Sequence, residues 1–64
     1  MDTPNDLMEE AFIIFDKDNL NKTDIERLLE IQEDLGILTN DENISLKFGE
    51  MISLAMMNRN VYNP

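Results

Sequence analysis

The chain has no cysteine and no histidine among its 64 residues. Without thiols no disulfide can staple the fold and no thiolate can hold a metal, and the loss of imidazole as well excludes the usual zinc sites. Basic side chains are also scarce: five stand against 14 acidic ones, for a formal net charge of -9. That balance repels phosphate backbones and anionic lipid, so direct binding to nucleic acid or to a membrane is not expected. No uninterrupted run of about 18 apolar residues occurs, and Met1-Asp2-Thr3-Pro4 carries no basic stretch leading into an apolar segment. Neither a membrane span nor an export signal is expected, and a cytoplasmic location fits.

What remains is enough to fold. Apolar residues make up 42% of the chain, too many for an ordinary disordered tail. The length allows one domain, residues 1–64, and at this size folding hides only about 60% of the surface that an unfolded chain exposes. The charge is unevenly placed. Residues 1–35 carry 11 acids and 3 bases, whereas residues 36–64 carry 3 acids and 2 bases.

Three helical patterns follow one another with short joints. Thr3 is placed to cap the first, with Pro4 at its opening position and Asp6 near its positive end. Leu7, Met8, Ala11, Phe12 and Phe15 recur at helical spacing, widened by Ile13 and Ile14, and predict a helix over about 4–15. The run Asp16-Lys17-Asp18-Asn19 interrupts it. A second helix, about 22–35, has two adjacent start signals: a Thr23/Glu26 capping box, and Asn21 flanked by Leu20 and Ile25. Its expected buried stripe is Ile25, Leu28, Leu29 and Leu35 with Ile31 at the edge, and Gly36 is the expected left-handed residue that ends it. Thr39 and Glu42 repeat the box ahead of a third helix, about 40–59. The expected architecture is all-α, a small three-helix bundle with short loops.

The third helix is apolar on two sides. At about 100° per residue, Ile44, Phe48, Met51, Ile52 and Ala55 share one arc, while Leu46, Leu54, Met57 and Val61 share another, with Met56 close by. Either this helix is central and both arcs are core, or the second arc lies in water and marks a contact site.

Candidate chemistry is sparse. Glu10 to Asp18, reading Glu-Ala-Phe-Ile-Ile-Phe-Asp-Lys-Asp, resembles the entering helix and first loop positions of the EF-hand family of calmodulin. The resemblance implies divalent-ion binding around Asp16 and Asp18. It covers nine residues, and a loop starting at Asp16 would have Leu20, Asn21 and Arg27 where that family has an oxygen ligand, a glycine and a bidentate glutamate. The two later helices have the form of a helix-turn-helix, but Asp41, Glu42 and Glu50 against Lys47 and Arg59 leave little to engage phosphates or bases. Acid-base candidates reduce to carboxylates, three lysines and Tyr62, so the chain is read as non-catalytic, with no catalytic residue, metal ligand or cofactor assigned.

The reading that remains is a protein-protein interaction module, a small regulator or inhibitor of the kind phages use. It would dock on a larger protein or on a second copy of itself through Leu46, Leu54, Met57 and Val61. Glu26, Glu30 and Glu33, part of an acidic surface with Glu9, Glu10, Asp16, Asp18 and Asp34, would steer the encounter with a basic-surfaced partner. Two alternatives use other features: a DNA mimic that occupies the site of a nucleic-acid-binding protein, and a degenerate EF-hand-like ion-binding module.

Overall fold

The computed structural model describes residues 3–58 and 60–62, and for residues 58 and 60–62 the backbone alone. Three helices, α1 (Pro4–Phe15), α2 (Lys22–Thr39) and α3 (Glu42–Asn58), form a three-helix bundle. Two three-residue strands accompany them, β1 (Asn19–Asn21) and β2 (Asn60–Tyr62), paired in parallel with Leu20 opposite Val61.

Local chemistry explains the starts. The Thr3 hydroxyl accepts from the Asp6 amide at 3.2 Å while the Asp6 carboxylate accepts from the Thr3 amide at 3.3 Å. Two of the orphan N–H groups at that end are thereby satisfied. At α2 the register chosen is Asn21, not Thr23. Its side chain accepts from the Asp24 amide at 2.7 Å, and Asp24 accepts from the Asn21 amide at 3.1 Å. Asn21 already sits in extended backbone as the last residue of β1, which is the geometry that an N-cap requires.

The joint between α2 and α3 differs from expectation. Gly36 does not end α2; the helix continues to Thr39, and no glycine among the described residues has positive φ. Asn40 takes the left-handed conformation instead, at φ 52° and ψ 38°, with its amide donating to the Gly36 carbonyl at 3.0 Å. Asparagine tolerates this region better than other residues with a Cβ. The Thr39/Glu42 box is also not formed. The Thr39 hydroxyl donates back to the Leu35 carbonyl at 2.6 Å, and Asp41 accepts from the Asn43 amide at 2.9 Å at the start of α3.

The core consists of Leu7, Ala11 and Ile14 from α1, Leu20 from β1, Leu28, Ile31 and Leu35 from α2, and Phe48, Ile52 and Ala55 from α3. The central helix is α2, which packs on both others, whereas α1 and α3 meet through side chains such as the Phe15–Phe48 ring pair, 5.7 Å between centroids. Both glycines lie where α2 and α3 approach. A Cβ on Gly36 would sit 3.7 Å from Ser45, and one on Gly49 would fall 2.8 Å from the Gln32 amide nitrogen, which donates to the Ser45 carbonyl at 2.9 Å.

Because only three α2 positions are central, several expected core residues are not buried. Leu29 faces out and Ile31, expected at the edge, is fully buried. On α1, Phe12 and Ile13 are exposed, the stripe having narrowed to Leu7, Ala11 and Ile14 with Met8 and Phe15 half-buried at its side.

Since Gly36 is helical and has room for a Cβ, Gly36→Ala should raise stability by about 0.5–1 kcal/mol, while Asn40→Val should cost about 1–2 kcal/mol. Chemical denaturation measures both, and a destabilised Gly36→Ala protein would restore the left-handed assignment.

Candidate functional site

The outward side of α3 is built by the spacing that builds its inward side. Ile44, Phe48, Ile52 and Ala55 turn toward α1 and α2. Positions 46, 50, 53, 54 and 57 then fall on the far side at about 100° per residue. Leu46 is 65% exposed, Leu54 55% and Met57 80%. Val61 lies in β2, and its side chain is outside the described residues. The apolar arc read from the sequence is therefore in water over its three described members, and α3 is not the central helix.

Beside this arc, Gln32, Leu46, Gly49, Glu50, Ser53 and Leu54 line an open groove of about 650 Å³. Gly49 leaves the space that the Gln32 amide fills, and the two leucines stand along the groove. Gln32 and Gly49 were not singled out from the sequence, whereas Ser53 was legible there, with Ser45, as a surface or helix-contact residue. A glycine in mid-helix with a serine four residues on was the available signal, since small residues on one helical face mark a place where something approaches closely. A smaller apolar hollow of about 240 Å³, lined by Met8, Ile44, Lys47, Phe48 and Met51, lies between α1 and α3.

The acidic side is a separate surface. Glu26, Glu30 and Glu33 are all exposed and share an arc of about 60° on α2, opposite Leu28, Ile31 and Leu35. They are not equally available. Glu26 is 3.9 Å from the Lys22 ammonium and Glu30 is 3.3 Å from the Arg27 guanidinium. Arg27 also grips Glu10 of α1 with two donors, Nε to one oxygen and Nη2 to the other at 2.7 Å. These bonds hold the Glu10 carboxyl below its ordinary 4.5, against a smaller opposing effect of desolvation, and raise the Arg27 pKa further. Asp24 is likewise lowered, first by hydrogen bonds from the Lys17 ammonium at 2.9 and 3.0 Å.

The EF-hand-like segment is organised by these same pairs. Arg27 occupies the position where the family has its closing glutamate, and it reaches Glu10 on the entering helix. An ion pair thus joins α1 to α2 where a bound cation would otherwise draw carboxylates together. Among the described residues no group of three or more His, Cys, Asp or Glu side chains is placed to hold a metal ion. No described helix is long and apolar enough to cross a membrane.

Compared with known protein families, characterised proteins and solved structures, the chain matches none. The functional reading therefore rests on its own surfaces.

Glu10 and Arg27 are both partly exposed, so solvent screening keeps their pair modest despite its two-point geometry. A Glu10→Gln/Arg27→Gln double-mutant cycle should give a coupling of about 0.5–1 kcal/mol above about pH 5. Because the folded-state pKa values of Glu10 and Asp24 are lowered, their contribution is present above the unfolded values and fades as pH falls through the folded ones. Unfolding curves from neutral pH to below pH 4 follow it, with a pH-independent cycle as the contrary result.

Proposed function

We propose that the chain is a protein-docking module whose contact surface is the outward side of α3. The supporting observation is the exposure of Leu46, Leu54 and Met57 on the side of α3 opposite its buried residues, next to the groove over Gly49 and Ser53. Each large apolar side chain left in water forgoes about 1.5–3 kcal/mol of burial. Three on one helix face, beside a concavity, are the pattern of an anchor site more than of scattered surface hydrophobes. Met57 adds an unbranched thioether that can adapt its shape to what it meets.

Docking of this kind acts by occlusion or by holding a partner in one state. The carboxylates of Glu26, Glu30 and Glu33 supply a second, longer-ranged contribution. They lie on α2, away from the α3 arc in composition, and raise the encounter rate with a surface of opposite charge without being part of the apolar contact. Glu33 carries most of that role, since Lys22 and Arg27 offset its two neighbours.

Leu54→Asp should leave the helical circular dichroism unchanged and shift stability by no more than about 0.5 kcal/mol, as at other exposed positions. The same variant should fail to retain a protein that the wild-type chain captures from its source cells. Loss of helicity in Leu54→Asp would show the residue to be core, and equal capture by both chains would place the contact elsewhere.

A further inference from the structure

Resting on the docking reading, we infer that the occupant of the groove beside α3 is a basic amphipathic helix of a partner protein, laid along the open seam between α2 and α3. The pairing of these two helices sets the seam. Gly36 lies against Ser45 and Gly49 against Gln32, so α2 and α3 run antiparallel, and Gly49 with Ser53 keeps the floor between them low. On the other flank Arg27 of α2 reaches Glu10 of α1, while Lys47 and Met51 of α3 line the hollow toward α1. The groove is therefore on the side of the pair that α1 does not cover.

Both walls of the seam are apolar. Leu46 stands on the α3 wall, and Leu29, three residues before Gln32 on the same side of α2, stands on the other. They are 65% and 49% exposed. From Leu46 to Met57 is about 16 Å along the axis, so three turns of a partner helix cover that length. A trough between two helices accepts a third through apolar residues three and four apart. Leu7, Ala11 and Ile14 of α1 fill the other side of α2 with that spacing.

Charge selects which helix fits. Glu33 lies one turn beyond Leu29 on α2 and Glu50 one turn beyond Leu46 on α3, so each wall carries an exposed carboxylate. Among the described residues neither has an ion-pair partner. The cations that could answer them are turned elsewhere: Arg27 to Glu10 and Glu30, Lys22 to Glu26, and Lys47 into the hollow beside α1. An apolar trough with a carboxylate on either wall, in a chain of net charge -9, complements a helix whose apolar stripe is flanked by lysine or arginine. The same charge opposes a second copy of this chain.

Titration of the full chain with a synthetic peptide, followed by amide NMR, tests the assignment. The probe is a helical peptide of about 16 residues, with leucines three and four apart and lysines on both flanks of that stripe. Equimolar binding is expected, with shifts centred on Leu29, Gln32 and Glu33 of α2 and on Leu46 to Ser53 of α3. Glutamine in place of every lysine, or the same residues in shuffled order, should weaken it at least tenfold. Glu33→Gln and Glu50→Gln should each weaken it about two- to fivefold, whereas Glu9→Gln, the same change of net charge on α1, should leave it unchanged. No shift at about 1 mM peptide, equal binding by the glutamine or shuffled peptide, or shifts centred on another surface overturns the inference. The occupant and the surface fail separately. A Leu54→Asp chain that stays folded, with no response of the wild type to the peptide, retires the basic helix and leaves the docking surface standing; a Leu54→Asp chain that unfolds removes both.

Discussion

Everything in this fold depends on one narrow apolar stripe, Leu28, Ile31 and Leu35 of α2, serving two neighbouring helices at once. Leu7, Ala11 and Ile14 reach it from one side, and Phe48, Ile52 and Ala55 from the other. A stripe of three residues can cover only one arc of each neighbour. The consequence is numerical: among the described residues ten apolar side chains are buried, and ten large ones, from Phe12 to Met57, stay exposed. A longer chain could add a fourth helix or a further layer to cover them, but at this size a single small core is the limit. The outward side of α3 is left over by packing geometry, and that surplus is what the proposed docking role rests on.

Polar chemistry fixes how the helices are set around that stripe. The two capping boxes define where α1 and α2 begin, and Asp24 does double duty by also holding Lys17 from the intervening loop. Arg27 links α2 to Glu10 on α1. On the other flank the helices approach through small residues, Gly36 against Ser45 and Gly49 under Gln32. The acidic half is thus tied together by its few cations. The nearly neutral half is held by close packing.

Much of this was legible in the sequence, and the failures share a cause. Thr3, Pro4 and Asp6 marked the start of α1 because capping is a local interaction complete within four residues. The inward arc of α3 was legible at Ile44, Phe48, Ile52 and Ala55, though not at Met51, which is exposed, because a long periodic pattern averages out local ambiguity. Gly36 was misread because a glycine after a periodic run fits a helix end and a helix crossing equally well; only the position of Ser45 on α3 distinguishes them. Leu29 and Ile31 exchanged roles, and Phe12 and Ile13 lost theirs, because periodicity gives the direction of an apolar face but not how much of it a neighbour covers. The short pairing of β1 with β2, which brings together residues about forty apart, carried no local signal. The groove over Gly49 likewise depends on Gln32 from another helix.

The central claim is that the fold is complete without the outer side of α3. Its most direct test is the unfolding free energy of a triple variant, Leu46→Ser, Leu54→Ser and Met57→Ser, measured at low micromolar concentration against the wild-type chain. The account predicts a difference below about 1 kcal/mol, since substitutions at exposed positions change stability little. A loss of several kcal/mol, of the size that truncating buried leucines produces, would mean that these side chains belong to the core and would contradict it.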